Sequence, residues 1–344
     1  MEQLRIAQIS PPWYAIPPTG YGGIELVVSL LADGLVQAGH EVTVFATGDS
    51  KTLAKLEYYY DYGPYERILQ PVPEVCQVMP AYLRHKEFDV IHDHSGRVGP
   101  AIANFVPTPT LHTIHGPFTE EMKEYYRSIN HGIYFNAISE YQRSLLPELN
   151  YVGTIYNSVN VDWYPFSETR DDYLLFLGRM SPQKGAHIAV EVANRLGMKL
   201  IIATKMVEPE EKAYFEEKVK PLLDNNVDIL GELDLTTKTD LLMNARCTLF
   251  PIQWPEPFGL VMIESMVTGT PVICMRNGSV PEVVEDGGTG FIVDSVDEMA
   301  EAVRRVETID PAYCRQYVDR KFSVPVMVGN YEKAYEKMLL GDVP

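Results

Sequence analysis

Two carboxylates, Glu256 and Glu264, stand eight positions apart in PEPFGLVMIE, between a strand-like run over 247–252 and a helix-like run over 258–269. Leu260, Val261, Met262, Ile263, Met266 and Val267 leave that helix almost no polar side, so it reads as buried. Glu264 therefore sits where an unpaired carboxylate is costly, and it needs hydrogen-bond donors. On one continuous helix the two carboxylates would be offset by about 80°. Pro257 and Gly259 instead put Glu256 in the loop before the helix. The expected arrangement is a helix end with free N–H groups around Phe258, Gly259 and Leu260, one carboxylate just before it, and a second two turns in. Such an end suits an anion, and the inner carboxylate suits hydroxyl groups. A purely structural reading is equally open here: Glu256 complements the helix dipole and Glu264 forms an internal ion pair.

Asp and Glu number 47 against 29 Lys and Arg, for a net charge of −18. Such a chain does not broadly attract nucleic acid or an anionic membrane, so an anionic ligand must meet local positive charge. Arg179 and Lys184 in GRMSPQKG provide it, two cations on a glycine-ended loop at a helix start. Gly20, Gly22 and Gly23 allow close backbone approach but lack the spacing of a dinucleotide fingerprint or a P-loop. His115 ends an apolar strand just before Gly116 and Pro117, and both a catalytic and a structural role fit it. His92, Asp93 and His94 have metal-binding side chains, but no further ligand set follows, so no metal is expected. Cys76, Cys247, Cys274 and Cys314 lack metal-ligand spacing and read as buried thiols. Trp13, Tyr14 and Tyr21 would either stack on a sugar face or pack into a core.

These residues need elements to hold them, and 344 residues suit two domains. A strand over 5–9, the loop SPPWYAIPPTGYGG, a helix over 24–38 and a strand over 41–46 form a unit that builds a parallel sheet. Strands over 90–92, 109–114, 133–138 and 152–156 continue it, and 157–172 reads as a polar linker. At Tyr173 the syntax restarts with strand YLLFLG, loop RMSPQKG, helix AHIAVEVANRL and strand KLIIAT, followed by strands over 227–230, 248–252, 271–274 and 291–293. Two doubly wound domains follow, and the loops after their first strands would share one cleft. Near the end, Ser323 caps a helix with Pro325 in its first turn and a stripe of Val324, Met327, Val328, Tyr331, Tyr335 and Met338 that must be covered. No run is long enough to cross a membrane and no signal precedes the first strand, so a cytoplasmic protein is expected.

Taken together, the two glutamates, GRMSPQKG, GGIE, HGPF and TGTPVI followed by GSVPEVVEDGGTGFIV resemble the family 4 retaining glycosyltransferases of the GT-B fold. The resemblance spans nearly the whole chain and is most specific over 173–293. It implies an α/β protein of two Rossmann-like, doubly wound parallel-sheet domains facing each other across a cleft. An acceptor-binding domain would cover 1–163, with a C-terminal helix over 324–344 crossing back to it, and a nucleotide-sugar domain would cover 164–323. Arg179 and Lys184 would hold the donor diphosphate beside Phe258, Gly259 and Leu260, with Gly22 and Gly23 approaching the phosphates. Glu264 would take the ribose hydroxyls, Glu256 the transferred sugar, and His115 the sugar or leaving group. Trp13, Tyr14, Tyr21 and Phe118 would meet the acceptor.

The implied reaction is transfer from a UDP- or GDP-sugar to an acceptor hydroxyl with retention, by front-face attack, with no cofactor and no metal. A sugar-nucleotide epimerase or phosphorylase of the same fold, or a non-catalytic nucleotide-sugar binder, is the alternative. Two places depart from the family pattern. Lys205 in IIATKM stands where relatives commonly carry glycine, and NSVN over 157–160 replaces Asn-Gly-Val-Asp. Base, sugar and acceptor stay open, as does a homo-oligomer.

Overall fold

The computed structural model describes residues 2–20, 22–68 and 70–341. The chain divides into two compact units, residues 1–158 with 324–344, and residues 159–323. The first unit holds a sheet of seven strands in the order β3-β2-β1-β4-β5-β6-β7. Its strands are β1 Arg5–Ile9, β2 Glu41–Phe45, β3 Lys55–Glu57, β4 Val90–Asp93, β5 Thr110–Ile114, β6 Tyr134–Ala137 and β7 Tyr151–Thr154. The second unit holds six strands in the order β10-β9-β8-β11-β12-β13. They are β8 Tyr173–Arg179, β9 Lys199–Lys205, β10 Val227–Leu230, β11 Cys247–Phe250, β12 Val272–Met275 and β13 Gly290–Val293. Every pairing is parallel.

Helices cover both faces of a parallel sheet, so its central strands are apolar on both sides. Leu174, Leu175, Phe176 and Leu177 are consecutive and all buried, as are Val272, Ile273 and Cys274. In each unit the strand order reverses beside the first strand, between β1 and β4 and between β8 and β11. Ligands of open parallel sheets bind at the carboxyl ends next to such a reversal. The residues to inspect are therefore those that follow β1 and β4 in one unit and β8 and β11 in the other.

The final helix, Val324–Leu340, belongs to the first unit. It buries Met327, Val328, Tyr331, Ala334, Tyr335 and Met338, nearly the stripe read from the sequence. Gly34 on the helix Gly23–Gln37 makes room for it, since a Cβ there would stand 2.6 Å from Cγ2 of Val328. Strand β3 has only three residues, two of them charged, and carries no apolar signal to read.

Candidate active site

In the second unit, the loop after β8 lies against the loop after β11. Gly185 has φ 75, and a Cβ there would stand 2.2 Å from the carbonyl oxygen of Pro251. Only glycine tolerates both the left-handed backbone and that approach. The N–H of Gln253 donates to the carbonyl of Gln183 at 2.7 Å and ties the loops again. This brings Lys184 to Glu256: its Nζ donates to Oε2 at 2.6 Å, and the indole N–H of Trp254 donates to the same oxygen at 2.9 Å. The ammonium also stands 5.6 Å from the Trp254 ring centroid and 5.9 Å from that of Phe250.

A third loop, after β12, holds Glu256 from behind. Gly278 has φ 56, and a Cβ there would lie 2.3 Å from the carbonyl oxygen and 2.4 Å from the nitrogen of Glu256. The Ser279 N–H donates to the Glu256 carbonyl at 2.9 Å, and its hydroxyl donates to the Phe258 carbonyl at 2.9 Å. Gly259, with φ 82, opens the helix Leu260–Val267, which thus begins two residues later than the sequence pattern suggested. Phe258 is buried and packs edge-on against Phe322, with ring centroids 5.8 Å apart.

Glu264 lies within that helix, buried, and has the donors its position requires. Tyr164 donates its hydroxyl to Oε1 at 2.9 Å and Lys238 its ammonium to the same atom at 2.6 Å. Burial and the adjacent carboxylate hold the Tyr164 hydroxyl well above the usual phenol range, so it stays a donor. Arg179, at the end of β8, donates through Nε to Oε1 of Glu211 at 2.7 Å. Burial works to raise the Glu211 pKa, but the N–H of Val207, Arg179 and the N–H of Glu208 together bring it below the ordinary value. The second unit thus holds Arg179, Lys184, Glu256 and Glu264 as three ion pairs around the carboxyl ends of β8 and β11. Trp254, Lys238, Tyr164 and Glu211 were not legible as members of this set. Tyr164 lay in the stretch read as linker, Lys238 and Glu211 reach the set from separate helices, and Trp254 stands two residues before Glu256 in the same loop.

The first unit holds Gly22, Gly23, His115, Trp13, Tyr14 and Phe118; Tyr21 lies outside the described residues. Gly22 precedes the helix Gly23–Gln37, and its missing Cβ leaves space for the Pro18 ring, 2.7 Å away. Glu25, in the first turn of that helix, is buried, and burial pushes its carboxyl up to about 7. Trp13 and Tyr14 are half-buried in the loop after β1. Phe118 packs on the core, edge-on to Tyr126 at 5.6 Å between centroids.

His115 shares a hydrogen bond of 2.9 Å between its Nε2 and Nδ1 of His94. His92 is engaged at both nitrogens, by the Tyr335 hydroxyl at 2.7 Å and the Thr113 hydroxyl at 2.8 Å. Asp93 accepts from the Tyr82 hydroxyl at 2.5 Å and from the Ser95 N–H at 2.7 Å. Burial, then the neighbouring imidazoles, lowers His92 and His94 well below the ordinary histidine value. Burial brings His112 down to about 3 and lowers His115 in the same direction. All four rings are therefore neutral near neutral pH, and His115 presents a hydrogen-bonding imidazole without charge. Among the described residues no group of three or more His, Cys, Asp and Glu side chains is placed to hold a metal ion. No helix of the described residues is long and apolar enough to cross a membrane.

Two parallel-sheet units, the second with cations paired to carboxylates at the carboxyl ends of β8 and β11, have the architecture of the GT-B glycosyltransferases, and comparison with known proteins gives the same class. Residues 164–321 match the family profile described as glycosyl transferases group 1, and residues 21–162 match the one described as Glycosyltransferase Family 4. The chain belongs to the family 4 glycosyltransferases. It is 26% identical over 339 residues to the phosphatidyl-myo-inositol mannosyltransferase of Mycolicibacterium smegmatis, with 87% of this chain and 84% of that protein covered. AviGT4, a glycosyltransferase involved in avilamycin A biosynthesis, superposes with a TM-score of 0.75 at 27% identity, covering 98% of each chain. HepE of Anabaena, solved in complex with UDP-glucose, has the same fold, with a TM-score of 0.76 at 18% identity over 97% of this chain and 100% of that one.

Proposed function

We propose that the protein transfers a sugar from a nucleoside diphosphate sugar to an acceptor hydroxyl, with retention of anomeric configuration and without a metal ion. The observation that carries this reading is the Lys184 ammonium, held 2.6 Å from Glu256 beside the glycine-led start of the helix Leu260–Val267. As the bond from the anomeric carbon to the diphosphate breaks, negative charge grows on the leaving oxygens. Lys184, Arg179 and the helix start offer positive charge and N–H donors there, already oriented, which is the arrangement that lowers such a barrier most. Two cations also supply the charge that a metal would otherwise bring. Glu256 then takes hydroxyls of the transferred sugar, and Glu264 those of the ribose, replacing Lys238 and Tyr164 as partners on the buried carboxylate.

In this reading the acceptor oxygen forms its bond to the anomeric carbon on the face the diphosphate leaves, and the acceptor proton passes to the departing phosphate oxygen. His115, neutral, donates or accepts a hydrogen bond at the sugar without adding charge. The donor base is uridine or guanosine in this reading; that HepE of the same fold was solved with UDP-glucose makes uridine the first to try.

Thermal stabilisation by UDP, GDP and ADP in the presence of chelator tests the donor site, because a ligand that binds only the folded chain raises its apparent stability. One nucleotide should stabilise the wild type and fail with an Arg179→Ala, Lys184→Ala double variant. No response to any of the three overturns the donor assignment. The anomeric configuration of the product, read by NMR, tests retention, and conversion of the sugar nucleotide to an epimer with no acceptor present would point to an epimerase.

A further inference from the structure

Glu256 accepts both of its side-chain hydrogen bonds on one oxygen. The Lys184 ammonium and the Trp254 indole N–H each donate to Oε2, at 2.6 and 2.9 Å, and no donor of the described residues reaches Oε1. A carboxylate offers about four acceptor positions over its two oxygens. This one, in a residue only 8% exposed, spends its protein donors on a single atom and keeps the other open. An acceptor left open in so enclosed a residue points to a ligand.

Trp254 touches both members of the ion pair. Its N–H, which can only donate, holds the carboxylate, and its ring centroid stands 5.6 Å from the Lys184 ammonium, within the range of a cation–π contact. Lys184 alone would orient Glu256 poorly. An ammonium carries three donors on a flexible four-carbon stem, and an arriving diphosphate competes for it. An indole N–H has one direction, set by a rigid ring. The backbone around that ring is itself fixed on two sides. The Gln253 N–H donates to the Gln183 carbonyl at 2.7 Å, and a Cβ on Gly278 would stand 2.7 Å from the carbonyl carbon of Pro255. Trp254 is therefore the donor that stays on Glu256 when Lys184 turns toward a phosphate.

We propose that Trp254 is a positioning residue, which anchors Oε2 of Glu256 so that Oε1 receives a hydroxyl of the transferred sugar. This rests on the transferase reading and adds to it how the sugar, as distinct from the nucleotide, is recognised. The indole N–H keeps the carboxylate at a fixed angle and satisfied on one side whether or not Lys184 stays with it. Its ring face gives the ammonium a second resting contact, so Lys184 reaches a diphosphate without leaving the loop. Binding of the bare nucleotide does not draw on Glu256 and so does not depend on Trp254, whereas binding of the sugar nucleotide does.

The tryptophans are Trp13, Trp163 and Trp254, so a nitrogen-edited proton NMR spectrum holds one indole signal for each of them. Trp254→Phe, which keeps a ring and removes the N–H, assigns the signal of Trp254. UDP and GDP are then compared with UDP-glucose and GDP-mannose, by that signal and by titration calorimetry. In the wild type, one sugar nucleotide should move the signal further than its bare nucleotide does. Trp254→Phe should weaken that sugar nucleotide by about tenfold and leave the bare nucleotide within about twofold. In a Glu256→Ala background the same substitution should cost no further affinity. Equal weakening of nucleotide and sugar nucleotide assigns Trp254 to the packing of its loop and overturns the proposal. A penalty that persists without Glu256 overturns it too, as does an indole signal that neither sugar nucleotide moves beyond its bare nucleotide. Failure of both bare nucleotides to bind removes the donor site itself, and the proposal with it.

Discussion

The two carboxyl edges of this chain solve the problem of buried polar groups in opposite ways. In the first unit the histidines are kept neutral, lowered by burial, with His92 bonded to the Tyr335 and Thr113 hydroxyls, His112 to the Tyr126 hydroxyl, and His94 to His115. In the second unit they are kept charged, with Arg179, Lys184 and Lys238 each held against a carboxylate. A neutral network suits a neutral ligand, because it offers hydrogen bonds without attracting ions. Paired charges suit an anionic ligand, because the cations are already oriented when it arrives. The contrast matters more in a chain of net charge −18, where an unpaired lysine would be drawn to any of many acids.

The largest effect should come from removing the charges. The Arg179→Ala, Lys184→Ala variant should lose turnover by about 10²- to 10³-fold or more, measured as nucleotide release in the presence of acceptor. Near-normal turnover would break the assignment of the second unit. Gly278→Ala should follow, since its side chain would collide with the Glu256 backbone at a φ of 56. A loss of about 2–4 kcal/mol is expected, read from urea unfolding.

The pH dependence sharpens the comparison from the side of the neutral network. A buried imidazole whose folded pKa is lowered contributes its full stability above the unfolded value of about 6.5 and loses it as pH falls toward the folded value. For His112, at about 3 in the folded chain, the loss by about pH 5 is of order 2 kcal/mol. Replacing it with glutamine should remove that share, so the unfolding midpoint falls less steeply between about pH 7 and 5, while His92, His94 and His115 keep theirs. Glu25 runs the other way, because burial raises it to about 7. Its neutral form is stable at low pH, and stability is lost as pH rises from the unfolded carboxylate value through about 7. Glu25→Gln should therefore raise the melting temperature at about pH 8 by an amount worth roughly 3 kcal/mol, and at about pH 5 by an amount under about 1 kcal/mol. The smallest effect is Tyr331→Phe, which removes a hydroxyl bonded to Thr113 and Asn136 and should cost about 1 kcal/mol without changing nucleotide-induced stabilisation.

Much of this was open to reading in the residues. The strands 5–9 and 227–230 and the helix 186–196 lie where the pattern put them. The buried place of Glu264 followed from the apolar residues around it. Lys238 and Tyr164, which satisfy that carboxylate, were not legible, because they are 26 and 100 positions away and carry no local pattern. Trp254 is only two positions from Glu256, but an indole there serves a core or a site equally well, and only the fold turns its N–H to that carboxylate.

The sequence by itself determined the parallel sheets, the glycine-rich loops that open helices, and the local cations that an acidic chain places beside them. These depend on periodicity, backbone freedom and short-range charge, all written within a few neighbouring residues. Which carboxylate holds which cation and which imidazoles stay neutral were decided only by the tertiary structure. Burial and pairing depend on what the rest of the chain brings alongside, and residues far apart in the sequence supply it.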